Sequence, residues 1–263
     1  MVRLLNGWRR SRLRALPLPA EWERVIERNV AFFDRLSPAD RRELFGHTQI
    51  LLAEKHFEGC DGLELTDEIR VTVAAYASVL LLHRSTDYYP RLTSILIYPS
   101  AYVASGERYQ GNGIWEEGDD VRVGETGARL GAVVVAWDDV PRGPNAGEDG
   151  RNVVLHEFAH QLDFEDHVVD GTPLLEPGQH ASWARVFTAE FEGLRAALDA
   201  GEPTLIRPYG AKNRAELFAV VTEAFFHLGS ALRDRHPEIY RELRSFYCQD
   251  PATWQRTDSS RSD

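Results

Sequence analysis

The residues best suited to chemistry in this 263-residue chain lie in one stretch, NVVLHEFAHQLD, from Asn152 to Asp163. It contains His156-Glu157-Phe158-Ala159-His160, the H-E-x-x-H pattern. Residues four apart share one face of an α-helix, so His156 and His160 can offer two imidazole nitrogens to a single metal ion. Glu157 then stands beside that ion, placed to take a proton from a water that the ion activates for hydrolysis. The flanking residues agree with a helix. Asn152 is a suitable N-cap, and Val153, Val154, Leu155, Phe158, Ala159 and Leu162 supply a buried apolar side. The bland alternative, a helix carrying two histidines by accident, accounts for neither the glutamate nor the helical frame.

A catalytic zinc keeps three protein ligands and leaves a fourth position open. The third must come from elsewhere in the chain. The block YGAKNRAELFAVVTEAFF, residues 209–226, places Glu216 and Glu223 seven apart, on one helical face among Leu217, Phe218, Phe225 and Phe226. Acids in such company are costly to bury unless paired or coordinated; otherwise one or both face solvent. The longer H-E-x-x-H-x-x-G-x-x-H form is absent, because Asp163 stands where its glycine would fall. A glutamate is therefore favoured over a third histidine. Asp163, three residues after His160, and Glu223 are candidates to orient the imidazoles, although Asp163 also reads as a polar helix end. His47, His56 and His83 stand singly on helical segments and are read as structural or surface residues. Cys60 and Cys248 are far from the motif, which disfavours a closed, cysteine-rich structural zinc site.

The elements that must position these groups follow from periodicity. Residues 1–20 form a basic arm, read as solvated, with five arginines and no acid before residue 15. Residues 21–250 are expected to be one domain in three parts. Helices over 21–36, 37–56 and 67–83 make a helical part (21–90); the third is apolar nearly all round and so central. Short β-branched or aromatic runs at 94–98, 113–116, 121–124 and 132–137 suggest one small twisted sheet of three to five strands (91–140). The run at 132–137 precedes the motif helix and is a candidate edge for an extended peptide to add to. In the last part (151–250) the motif helix is followed by an acidic loop at 164–178 and helices at 182–198, 215–228 and 236–247. Residues 251–263 read as a disordered tail. The fold class is α+β, predominantly helical.

Composition narrows the function classes. A net charge of −11 argues against a general nucleic-acid or anionic-membrane binder. No secretory h-region and no run of about eighteen apolar residues is present, so the expected location is the cytoplasm, with reduced thiols.

NVVLHEFAHQLD, AELFAVVTEAFF and the closing FYCQDP resemble the Mlc titration factor A family of zinc metallopeptidases, over most of the chain. Residues 209–226 are also similar to the catalytic domain of anthrax lethal factor. The resemblance implies a gluzincin-like fold with one zinc per chain, Glu216 as third ligand and Tyr209 facing the reacting carbonyl. Glu223 then falls behind the ligands. It also implies a peptide or protein substrate, with aminopeptidase-type activity among the expectations, and a transcriptional repressor of the Mlc type as partner. The competing reading is a non-enzymatic regulator that sequesters the repressor and keeps the zinc site as a vestige or a structural support.

Overall fold

The computed structural model describes residues 2–100, 103–104, 107–109, 115–117, 131–143 and 146–254. The expected strand at 121–124 and the tail from 255 onward lie outside the described residues. The described fold is mostly helical with a small parallel sheet, in keeping with an α+β class.

At the centre lies α4 (Asp67–Val79), which Thr66 caps by accepting from the Ile69 N–H. Every residue from Val71 to Val79 is buried, as the all-round apolar pattern requires. The helix stops at Val79 rather than near residue 83, since the chain turns there and His83 takes a left-handed φ of 62°. Two helices pack against it. α2 (Ala20–Asn29) is shorter than periodicity suggested and gives way to a 3-10 turn at Phe33–Arg35. α3 (Pro38–Glu54) begins with a capping box formed by Ser37 and Asp40.

The chain leaves α3 in an extended conformation at Lys55, whose Nζ donates to the carbonyls of Tyr89 and Leu92, both at 2.7 Å. That extension opens β1 (His56–Gly59), a four-residue strand the helical pattern concealed. With β2 (Ser94–Tyr98) and β6 (Ala132–Ala136) it makes a three-stranded parallel sheet in the order β1-β2-β6. Ile95, Ile97, Val133 and Val135 alternate onto its buried face. The remaining strands form not one sheet with these but a second, antiparallel one: β3 (Val103–Ala104), β4 (Glu107–Tyr109) and β5 (Trp115–Glu117).

The motif helix is α5 (Val153–Asp163), packed on β6, α4 and α7 (Arg214–His227). α6 (His180–Asp199) buries Trp183, Val186, Phe187 and Leu194, with Trp183 stacked on Phe187 at 4.2 Å. α8 (Gly229–Arg235) and α9 (Pro237–Tyr247) close the domain. No single described helix is long and apolar enough to cross a membrane.

Two terminal expectations are corrected in part. The basic arm is a helix, α1 (Val2–Ala15), docked on α3. Arg10 grips Glu54 through both carboxylate oxygens (2.9 and 2.8 Å) and reaches Asp87 at 2.5 Å, with its guanidinium over Tyr88. Gly46 permits the approach, since a Cβ there would lie 2.8 Å from Arg14 Cγ. At the other end, Pro251–Thr253 form a 3-10 turn with Pro251 buried, and the Trp254 ring lies 5.3 Å from Phe32. Of the thiols, Cys60 is half-buried and Cys248 exposed.

Candidate metal centre

The geometry of the motif begins with Asn152. Its Oδ1 caps α5 by accepting from the N–H groups of Val154 and Leu155, both at 3.1 Å. Its own backbone N–H donates to Glu223 Oε2 at 2.6 Å, which ties the start of α5 to the middle of α7. Because Oδ1 is the accepting atom, the side-chain amide must donate, and it does so to His227 Nε2 at 3.1 Å.

From this anchored helix His156 and His160 project toward α7. His156 Nε2 lies 3.1 Å from Glu216 Oε2 and 3.3 Å from His160 Nε2, and His160 Nε2 lies 3.4 Å from the same Glu216 oxygen. Among the described residues, these three side chains form the one group of metal-ligating type so clustered. Tetrahedral zinc with bonds of about 2.0–2.1 Å sets its ligand atoms about 3.3 Å apart, so the triangle has the size such an ion needs.

The donor chemistry fits as well. His156 Nδ1 lies 2.8 Å from Glu223 Oε1, which assigns the proton to Nδ1 and aims the Nε2 lone pair at Glu216. Lone pairs of three ligand atoms then converge, an arrangement that calls for a cation. Metal-free, a proton serves instead. Burial opposes the His156 imidazolium, yet hydrogen bonds to Glu216 and Glu223 outweigh it and lift the pKa to about 10. Glu216 is likewise buried, but His160 and His156 hold its carboxyl well below the usual range.

Glu157 is buried beside this cluster, its Oε1 without a hydrogen-bond partner, and burial pushes its carboxyl up to about 7. Tyr209 sits on a 3-10 turn, Pro208–Ala211, packed against α6 and α7. Its ring centre is 5.9 Å from that of His156, and its buried hydroxyl lies near Glu216 without a well-formed hydrogen bond. Burial, then the carboxylates of Glu216 and Glu157, raise this phenol far above its ordinary value.

Two acids singled out beside the ligands end differently. Glu223, almost fully buried, bonds His156 directly. Asp163 does not reach His160: its Oδ2 accepts from the Gly171 N–H at 2.8 Å, while Asp163 Oδ1 and His160 Nδ1 have no hydrogen-bond partner. Burial raises the Asp163 carboxyl to about 6. It pins the acidic loop after the motif under the start of α7. Gly171, at φ 81°, is so close to Arg214 that a Cβ would meet its carbonyl oxygen at 2.4 Å.

Sequence reasoning overlooked Arg207 and His227. Arg207 forms an ion pair with Glu223 Oε1, and its only signal in the sequence was proximity to Tyr209. His47 and His83 lie elsewhere, held by Tyr88 and Glu43 and by Asp40 and Glu43 respectively.

A mostly helical fold in which two histidines of an H-E-x-x-H helix meet a glutamate from a second helix has the design of a metallopeptidase, and comparison with known proteins agrees. The chain matches the model of the glucose-regulated metallo-peptidase M90 family over residues 5–248, and it belongs to that family. It is 39% identical over 249 residues to protein slr2042 of Synechocystis, covering 93% of this chain and 89% of the relative. It is 30% identical over 234 residues to Mlc titration factor A of Serratia proteamaculans (86% and 88% covered), and 27% identical over 261 residues to that of Yersinia pestis (97% and 94%).

Proposed function

We propose that this protein is a zinc-dependent peptidase of gluzincin type, with one zinc per chain held by His156, His160 and Glu216. The observation that carries the reading is the convergence of three ligand atoms at 3.1–3.4 Å beside a buried, unpaired Glu157 carboxylate and a buried Tyr209 hydroxyl. When bound, zinc supplies a Lewis acid that polarises the scissile carbonyl and acidifies the attacking water. Glu157 accepts the proton of that water and passes it to the leaving nitrogen. A pKa raised by burial suits both halves of this exchange. The Tyr209 hydroxyl, which donates to no protein group, supplies a hydrogen bond to the oxyanion as it forms. Glu223 holds the ring of His156 in the tautomer that ligation needs. β6, at the edge of the parallel sheet and packed on α5, offers backbone groups for an extended substrate.

The names of the relatives support a second role. Proteins called Mlc titration factor A match this chain over most of its length, which favours binding of an Mlc-type repressor in the cytoplasm. The two roles separate in one experiment. Amino-acid and short-peptide anilides are turned over by the parent, and Glu157→Gln keeps zinc while losing about 10²–10⁴-fold in kcat. Repressor binding survives the same substitution. Turnover undiminished in Glu157→Gln rejects this mechanism, and no turnover across a broad peptide library, with zinc bound, leaves the sequestering role alone.

A further inference from the structure

Behind the ligands lies a charge that the reading above does not use. Glu223 is 1% exposed, on a helix whose neighbouring Phe225 and Phe226 are buried as well. An ionised carboxylate at such a depth requires compensation. Three donors converge on it: the Asn152 N–H on Oε2, and His156 Nδ1 and the Arg207 guanidinium together on Oε1. Among the described residues, Arg207 is the one side chain of permanent positive charge bonded to this network.

That position matters for the metal. Oε1 of Glu223 is shared between His156 Nδ1 and the Arg207 guanidinium, so the carboxylate that meets the back of the His156 ring is itself held in place by Arg207. Arg207 also immediately precedes the Pro208–Ala211 turn that carries Tyr209. The same ion pair therefore fastens that turn to α7, so one guanidinium links the orientation of a ligand to the position of the tyrosine. Its side chain is 14% exposed and bonds Glu223 rather than any of the three ligand atoms, so its action is indirect.

We infer that Arg207 is a positioning residue: through Glu223 it presents His156 to the metal, and through the adjoining turn it places Tyr209. This rests on the metal site proposed above, and the test separates the two. Zinc affinity of the full-length protein is measured by competition with a chromophoric chelator, together with the visible spectrum of the cobalt form. The variants are Arg207→Gln, Arg207→Lys, Glu223→Gln, the Arg207→Gln/Glu223→Gln pair and His156→Ala. Arg207→Gln is expected to weaken zinc about 10–100-fold and to perturb the cobalt spectrum, as loss of a group behind a ligand does. Arg207→Lys, keeping the charge but not the fork, is expected to lose less. The double variant should be no weaker than Glu223→Gln, because Arg207 acts through that carboxylate. On anilide substrates kcat should fall in Arg207→Lys even at saturating zinc, through Tyr209. Should Arg207→Gln fail to fold, Arg207→Lys carries the test. Parental zinc affinity and kcat in the folded Arg207 variants, with His156→Ala still losing metal, overturn this inference alone. Full zinc in His156→Ala overturns the metal site itself.

Discussion

His156 and His160 leave the same helix one turn apart and meet at the same point, yet they are supported in different ways. His156 is held from behind by Glu223, which is itself bonded to Asn152 and Arg207. His160 is more exposed, and its Nδ1 has no hydrogen-bond partner, because the nearest candidate, Asp163, turns toward Gly171. The difference comes from position along α5. His156 lies in the first turn, against the middle of α7. His160 lies in the last, where the chain must reverse into the acidic loop. There a carboxylate is spent on securing that reversal instead of on the imidazole. One ligand is thus fixed by a network and the other by its helix alone.

The largest expected effect ignores this asymmetry. His156→Ala and His160→Ala should each abolish stoichiometric zinc, measured as metal per chain after desalting, because a three-ligand site does not survive on two. Glu216→Ala should do the same, whereas Glu223→Ala should retain zinc at about 10–100-fold lower affinity. Outright loss in Glu223→Ala with retention in Glu216→Ala would exchange their roles.

The next effect exposes the asymmetry. Asp163→Asn should leave zinc affinity close to parental, since neither oxygen of Asp163 bonds His160. A loss as large as that of Glu223→Ala would show that the two histidines are supported alike in solution.

A smaller effect concerns pH on the His156 side. His227 accepts from Asn152, and burial depresses its pKa to about 4 despite the nearby carboxylates of Glu223 and Asp149. As pH falls below 6.5 the unfolded chain takes up this proton before the folded one does. The contribution of the neutral ring is therefore complete above pH 6.5 and is lost as pH falls toward 4, by about 2–3 kcal/mol. Denaturant unfolding of metal-free protein at pH 7 and 4.5 should show a smaller acid loss in His227→Gln than in the parent. Equal losses would remove His227 from the account.

Smallest is the cap. Asn152→Ala should cost about 1 kcal/mol of stability at neutral pH, and Asn152→Ser, which keeps a capping oxygen, should cost less. Chemical denaturation of both variants checks the difference.

Much of the frame was legible because it is local. The histidine spacing, the Asn152 cap and the apolar periodicity of α4, α6 and α7 depend on residues within a few positions of one another. The short strand β1 was not legible. Its pairing with β2 joins residues nearly forty positions apart, and four residues carry no periodicity of their own. The basic arm was legible only in part for a similar reason: Arg9, Arg12 and Arg14 are exposed as read, whereas Arg10 is half-buried because the fold brings Glu54 and Asp87 beside it.

At the centre the division is the same. By itself the sequence determined that two imidazoles and a glutamate share a helix, and that two further glutamates lie one heptad apart on another. Spacing could not say which of those acids meets the Nε2 side of His156 and which the Nδ1 side, because seven residues return nearly to the same helical face. Only the packing of α7 across α5 separates them, placing Glu216 among the ligand atoms and Glu223 behind the ring. The tertiary structure alone set Arg207 against Glu223 and drew Asp163 away from His160 to Gly171. A side chain's charge is written in the sequence, but the partner that neutralises it is decided by which elements pack together.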